Sequence, residues 1–545
     1  MKLRTGIIII CGVAALNLLL RPVVCRYDLT ADKRYTLSRA AQQEIQKADA
    51  PIDITVYLQG EMNAGFRSLR RAVYDMLSDM QRYNRQISVY TPSEEELDIA
   101  YKRLDQSGYG PVIVHERQQD GRTAQTRLYP YMMISYKGRN IIVSLLQQQR
   151  GRSGEENLNA SQEGLEYTVT EALHTLTKDK TESIAFLEGH GEQSEQDVYD
   201  WSAALSRYFQ VDRGVLGTDA DILNNYKALI IADPQEQFSD TDKYIIDQYL
   251  MQGGSIFWLV NGVRFSKDML TDNGITPIIP LDLNISDMLF RYGIRINPAL
   301  VQDLQCLMIP VDVSSDPLKP QYQPIPWTYS PLLLTSQNSP VTRNVMQVSS
   351  SFTSCIDIVG GDDGLKKDIL LATSTASALT PTPAEVDLTD LSIHQEMFKY
   401  SYIPVAVSVE GSFPSVFTHR MPPEGINQTG GKKDKSVYTK QIIAATGNIC
   451  RNEWEQGQPL PTGYDRYTKT QFGNRDFLVN ALLWLTDDSG LIELRQKTVA
   501  LRLINDQKAH GIRTRIQTAS ILLPLLLILA IGLPFNLIRK HRYTR

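Results

Sequence analysis

Cysteine and histidine are scarce, five and seven among 545 residues. No two cysteines stand at C-x-x-C spacing and no two histidines at H-x-x-x-H spacing. Those absences exclude a zinc ribbon, a thioredoxin-type motif and a helical metalloprotease site. Three further patterns are missing: a G-x-S-x-G nucleophile elbow, a G-x-x-x-x-G-K-[ST] phosphate loop, and G-x-G-x-x-G opening a helix. The stretch "GGKKDKS" has glycines and lysines at the wrong spacing, so the chain has no recognisable means of hydrolysing ATP itself. Excess positive charge is lacking too. Lys and Arg number 56 against 61 Asp and Glu, the formal net charge is −5, and no dense basic stretch lies in the body. A nucleic-acid binder is not indicated.

What is present is a globular composition, 42% apolar and 21% charged, in a chain long enough for more than one domain. Both ends differ from the middle. Residues 5–24 include "TGIIIICGVAALNLLL", long enough to cross a hydrocarbon core of about 30 Å if Arg21 snorkels to the interface. A cleaved signal peptide would show small residues before the cut, and "RPVVCRYD" offers bulky Val23 and Val24 instead. The reading is therefore an uncleaved anchor. Residues 520–538, "SILLPLLLILAIGLPFNLI", form a second uncharged run before Arg539, Lys540, His541 and Arg542. Lys2 and Arg4 flank the first run on its outer side, and the C-terminal cluster flanks the second. The positive-inside rule then places both termini in the cytoplasm and the middle across the membrane. Without those six terminal charges the remainder carries about −11, which suits a soluble ectodomain.

Within the middle, helical and strand periodicities alternate. A helix is expected from Ser38, a strand at 52–58, a helix at 66–83, and a hairpin turning at Lys137-Gly138. The polar stretch "QQQRGRSGEENLNASQEG" reads as a linker. Then come strand 183–187, helix 194–208, strands 211–216 and 228–232, helix 240–251 and strand 255–260. Near-continuous apolar strands alternating with helices argue a doubly wound, mostly parallel sheet. Later, "IPWTYSPLL" reads as an irregular proline-rich crossing and "PPEGINQTGGKKDKS" as a mobile loop. Cys306, Cys355 and Cys450 leave room for one disulfide.

The candidate site is the turn after the first of these strands: Gly189, His190, Gly191 and Glu192, with Asp233 at the end of another strand. Ligands of such sheets bind beyond the carboxyl ends of strands. His190 and Glu192 could serve as an acid/base pair or as two metal ligands. The plainer reading is a tight strand-to-helix turn, with Gly189 and Gly191 supplying unusual φ and Glu192 near the N-terminus of the following helix. It allows a place at the rim of a ligand pocket. No metal or cofactor is indicated.

Several segments together resemble one family: "YDLTADKRYTLS", "IAFLEGHGE", "DMLFRYGIRINPALVQDLQC", "IPVAVSVEGSFPSVF" and "GYDRYTKTQFGNRDFLVNALLWLTDDSGLIELRQKTVALRLI". They are similar to the gliding-motility-associated auxiliary, substrate-binding-like subunits of Bacteroidetes ABC transporters, the GldG family, over residues 26–505. Where relatives often carry a "DGD"-like segment, this chain has "ATGNI", with Thr446 and Asn448. The resemblance implies an α/β protein of two extracytoplasmic domains. The second would resemble a class I glutamine-amidotransferase-like (flavodoxin-like) sheet without a nucleophile. It also implies a partner ABC permease and a separate cytoplasmic ATPase. The expected division is an anchor at 1–25, an α/β domain at 26–148, a linker at 149–163 and the amidotransferase-like domain at 164–490. A juxtamembrane segment at 491–518, a membrane helix at 519–538 and a basic tail at 539–545 complete it. The expected function is a non-enzymatic accessory subunit in the inner membrane. The alternatives are an envelope scaffold without transport and an amidase- or hydrolase-like enzyme using His190 and Glu192.

Overall fold

The computed structural model describes residues 36–107, 109–117, 123–146, 153–177, 182–312, 314, 321–360, 364–388, 390, 392–487, 490 and 506–543. They fall into two units divided after residue 497. The N-terminal apolar run lies outside the described residues.

The first unit begins with a four-stranded sheet in which Ile87–Tyr90, Ile52–Val56, Tyr131–Tyr136 and Arg139–Ser144 lie side by side. The expected turn is there, with Lys137 and Gly138 both at positive φ, as a two-residue hairpin of this twist requires. Helix Ala64–Tyr83 buries Phe66, Leu69, Val73, Leu77 and Met80, a 3- and 4-residue spacing that makes one stripe. Asn63 caps it by accepting from the Phe66 N–H at 3.0 Å.

Residues 154–163, expected as linker, are instead the first turns of helix Gly154–Thr177. The correction has a simple cause. Leu158, Leu165, Val169, Ala172 and Leu176 recur at helical spacing and join the core under the first sheet. The polar residues between them are partly or fully buried, Ser161 and Thr170 among the latter, yet by composition alone the stretch resembles a linker.

A ten-stranded sheet dominates the rest of the unit. Its path runs Phe209–Val215, Glu182–Glu188, Tyr226–Ala232, Ser255–Leu259, Thr439–Ala444, Pro404–Gly411, Lys366–Ala372, Tyr322–Thr335 and Cys306–Asp312, and the tenth strand, Val348–Ser349, pairs with Tyr322–Thr335 off this path. The first five are parallel; the rest are antiparallel. In chain order the parallel half reads 2-1-3-4-5. Ser255–Leu259 is buried at every residue, as strands covered on both faces must be. Helices Tyr199–Leu205 and Asn474–Thr486 cover one face; helices Asp240–Met251 and Ser286–Arg291 cover the other.

Three expectations change here. Helix 194–208 shrinks to Tyr199–Leu205, reached through turns. "IPWTYSPLL" is not an irregular crossing but part of strand Tyr322–Thr335. Pro324 and Pro326 are tolerated because that stretch pairs on one side only, with Cys306–Asp312. The glycine- and lysine-rich segment 422–436 is irregular but pinned. Asn427 exchanges backbone hydrogen bonds with Thr218 and Ala220 at 2.8 Å each. The Lys433 N–H reaches the Gln248 side chain at 2.8 Å, and the Thr429 N–H reaches Asp221 at 2.7 Å. Cys306, Cys355 and Cys450 are all free thiols.

The second unit contains helix Asp506–Tyr543. Among the described residues this is the one helix long and apolar enough to cross a membrane, over Gln517–Ile538. Twenty-two residues at about 1.5 Å rise span roughly 33 Å, the thickness of a hydrocarbon core. The expected juxtamembrane stretch 491–505 lies outside the described residues, and 506–518 is already helical.

Candidate functional site

In a parallel sheet ordered 2-1-3-4-5, the chain leaves strands 1 and 3 in opposite directions, and a crevice opens beyond their carboxyl ends. Here those strands are Glu182–Glu188 and Tyr226–Ala232. The loop Gly189–Glu192 leaves the first and Asp233 follows the second. The structure therefore brings all five candidate residues to one sheet edge. Gly189 and Gly191 have φ of 113° and 72°, left-handed backbone that a side chain would strain.

His190 is the centre of the loop. Its side chain is 9% exposed, and its Nδ1 lies 3.1 Å from Glu192 Oε1 and its Nε2 3.3 Å from Asp242 Oδ2. The ring stacks on Phe238 with centroids 3.9 Å apart. The Glu192 carboxylate also accepts the His190 backbone N–H at 2.7 Å. The His190 carbonyl accepts the N–H groups of Gln235 and Glu236 at 2.7 and 2.9 Å. Burial alone would lower the imidazole pKa, but hydrogen bonds to Asp242 and Glu192, then their charge, outweigh it and raise it to about 9. His190 is an imidazolium at neutral pH, clamped between two carboxylates. Asp242 is held below the usual carboxylate range, first by the His190 hydrogen bond.

Asp242 comes from the third position of helix Asp240–Met251, where it forms a capping box with Ser239. That helix start, not the one after the loop, meets the candidate turn. The expected role of Glu192 at the following helix is corrected accordingly, since that helix begins only at Tyr199.

Asp233 lies at positive φ, 57°, and 5% exposed, but apart from the His190 clamp. Its oxygens accept from Gln193 Nε2 at 2.7 Å and Asn261 Nδ2 at 2.8 Å. Burial raises its carboxyl to about 6 against these hydrogen bonds and the charge of Arg451. The "ATGNI" segment closes over it. The Gly447 N–H donates to Asn261 Oδ1 at 3.1 Å, and a Cβ on Gly447 would lie 2.0 Å from Asp233 Oδ1. Thr446 Oγ1 is buried there without a hydrogen-bond partner. Burial, reinforced by Asp233, pushes the Cys450 thiol far up, so it does not replace a missing nucleophile.

Sequence reasoning found the loop and Asp233 but missed Asp242, Phe238, Gln193, Asn261 and Gly447. Ser239 and Asp242 did carry a signal, the S-x-x-D spacing of a capping box. Both His190 nitrogens are engaged, so the ring offers no free lone pair for a metal or a substrate proton. Among the described residues no group of three or more His, Cys, Asp or Glu is arranged to hold a metal ion.

The family described as an ABC-type uncharacterized transport system matches residues 181–481, more than half of the chain. The chain belongs to this family. Its members are auxiliary components of ABC-type transport systems, which supports an accessory role, implies permease and ATPase partners in general, and agrees with a membrane-associated helix. A domain of unknown function (DUF7088) matches residues 31–135. Comparison with curated proteins finds no match. Among solved structures, the chain is similar to the mmIFT52 N-terminal domain over 56% of its own length and 98% of that chain. Identity is 14% and the TM-score 0.32, and a likeness at that level carries no argument.

Proposed function

We propose that this auxiliary ABC transport component is a fixed, non-enzymatic extracytoplasmic subunit of a permease–ATPase complex. One observation carries the non-enzymatic part: both nitrogens of His190 are occupied by carboxylates at the sheet edge where a flavodoxin-like enzyme would bind its substrate. The loop Gly189–Glu192 and Asp233 then serve as an ion-paired and hydrogen-bonded clasp at the rim of the crevice. The 2-1-3-4-5 strand order supports the flavodoxin-like, amidotransferase-like reading of the second domain. The packing of helix Gly154–Thr177 on the first sheet supports counting that helix with the first domain. Two anchors, cytoplasmic termini and a periplasmic middle follow from the apolar runs and their flanking charges. The complex serves gliding motility or secretion, on the resemblance to the GldG family of Bacteroidetes.

Native size fractionation of gently solubilised membranes tests this. The chain is expected to migrate in a large complex with ATP hydrolysis in the same fractions. Migration as a lone protein would contradict the proposal and favour a separate envelope scaffold.

A further inference from the structure

A cleft of about 760 Å³ opens on the face covered by helix Asp240–Met251, and none of the His190 clamp residues lines it. Helix Ser286–Arg291, strand Ile294–Asn297 and residues 415–420 form its walls. Its volume falls within the range of small-molecule sites. Arg291, Arg295 and Arg420 line it together with Phe290, Ile296 and Asp287. Asp287 is the one carboxylate of the lining, and it is already answered. The buried Lys243 Nζ lies 2.7 Å from it and Arg420 Nη1 lies 3.3 Å from it. Among the described ion pairs, Arg291 and Arg295 have no partner. Phe290 is 55% exposed at the same wall. Two guanidinium groups outside the described ion pairs, Arg295 with Asp357 opposite it in the strand pair, stand with an open aromatic ring and form a distinct chemistry: planar donors for an anion and an apolar face for its body.

We propose that this cleft binds a small organic anion, with a phosphate or carboxylate on Arg291 and Arg295 and a ring or apolar body against Phe290 and Ile296. The arginines follow from local structure. Arg291 closes its helix, where a cation is favoured by the dipole. Tyr292 and Gly293 then turn the chain, and Arg295 enters the strand one pleat later. The turn is held from below. Tyr292 OH donates to the buried Asp247 at 2.8 Å. The same carboxylate fixes the facing segment through the Ser415 hydroxyl at 2.7 Å and the Val416 N–H at 3.0 Å. Asp247 thus sets the width of the cleft without lining it. The site shares no lining residue with the His190 clasp, and the proposal does not depend on which partners the chain has.

The test titrates the full-length protein in non-ionic detergent with 1-naphthyl phosphate, using ligand-observed NMR. Inorganic phosphate and 1-naphthol serve as the two half-probes. The expected result is saturable binding of naphthyl phosphate, weaker binding of phosphate and none of naphthol. Affinity should fall about ten-fold or more in Arg291→Gln/Arg295→Gln, as expected for losing charge-assisted hydrogen bonds. It should also fall in Phe290→Ala. All three substituted side chains are exposed, and an unchanged melting temperature confirms that the variants fold. Equal binding by wild type and the double variant, or no binding at millimolar probe, overturns the proposal. In nanodiscs, displacement of the probe by phosphatidylglycerol but not by glycerol phosphate identifies a lipid headgroup as the source of the anion. Displacement by glycerol phosphate alone identifies a soluble one.

Discussion

Replacing His190 by Gln removes one positive charge from between two carboxylates. Glu192 and Asp242 have side chains 2% and 19% exposed, so neither is well placed to recruit water in its stead. The folded pKa of His190 is raised from 6.5 to about 9. At about 1.36 kcal/mol per unit, the charged state is favoured by about 3 kcal/mol on folding. A raised folded pKa means that this stability is complete below pH 6.5 and is lost as pH climbs through about 9. Removing one member of a buried ion cluster costs a similar amount, about 3–5 kcal/mol. His190→Gln should therefore lower the melting temperature of the full-length protein by roughly 5–10 °C at pH 6. The gap should narrow strongly by pH 9.5, where wild-type His190 has itself lost its proton. Scanning calorimetry in detergent at the two pH values reads both numbers. An equal gap at pH 6 and pH 9.5, or no gap at either, would refute the ion-paired clasp.

Gly447→Ala should destabilise by about 3 kcal/mol or more, because its Cβ would lie 2.0 Å from Asp233 Oδ1 beneath the closing segment; chemical denaturation measures it, and a neutral outcome would mean the segment packs elsewhere. Asp233→Asn should cost about 1–3 kcal/mol at pH 7: Asn tolerates left-handed backbone and removes a buried charge, but its amide nitrogen meets one of the two donors, Gln193 and Asn261, that Asp233 accepts from. Asp233→Val, which orphans Gln193 and Asn261 and strains a β-branched residue, should cost more than about 3 kcal/mol. The raised Asp233 carboxyl contributes stability at low pH that is lost as pH rises from 3.8 to about 6, so the Asn variant should show a flatter profile there. Burial holds the Cys306 thiol up at about 11 and pushes the Cys450 thiol well above its ordinary value; iodoacetamide at pH 7.5 should label these two residues far more slowly in the native protein than in the unfolded chain, and rapid native labelling of Cys450 would contradict its burial.

Much of this architecture was legible because its signals are local and periodic. The strand expected at 228–232 is an apolar run that the structure extends back to Tyr226, and helix Asp240–Met251 lies at the expected bounds. The linker error shows the limit. From 154 to 163 the apolar residues are sparse, and their helical spacing emerges only together with Leu165 to Leu176, which pack on a sheet earlier in the chain. The proline-bearing strand Tyr322–Thr335 was illegible for another reason. Whether a proline is tolerated depends on which edge of the strand is paired, and that is a property of the whole sheet. At the candidate site, sequence placed His190, Glu192 and Asp233 near strand ends and set His190 beside Glu192, but could not supply the distant partners. The second partner of His190 is Asp242, 52 residues on, and the neighbours of Asp233 come from three separate loops. The guanidinium pair at Arg291 and Arg295 is close in sequence, but an open cleft beside it is a tertiary fact.

The measurement that bears most directly on the central claim is affinity purification of the tagged full-length protein in mild detergent, with mass spectrometry of what accompanies it. A polytopic permease and an ATPase carrying a phosphate loop should be recovered with it in near-fixed ratio. Recovery of the folded, membrane-inserted protein without either would contradict its place in an ABC transport complex.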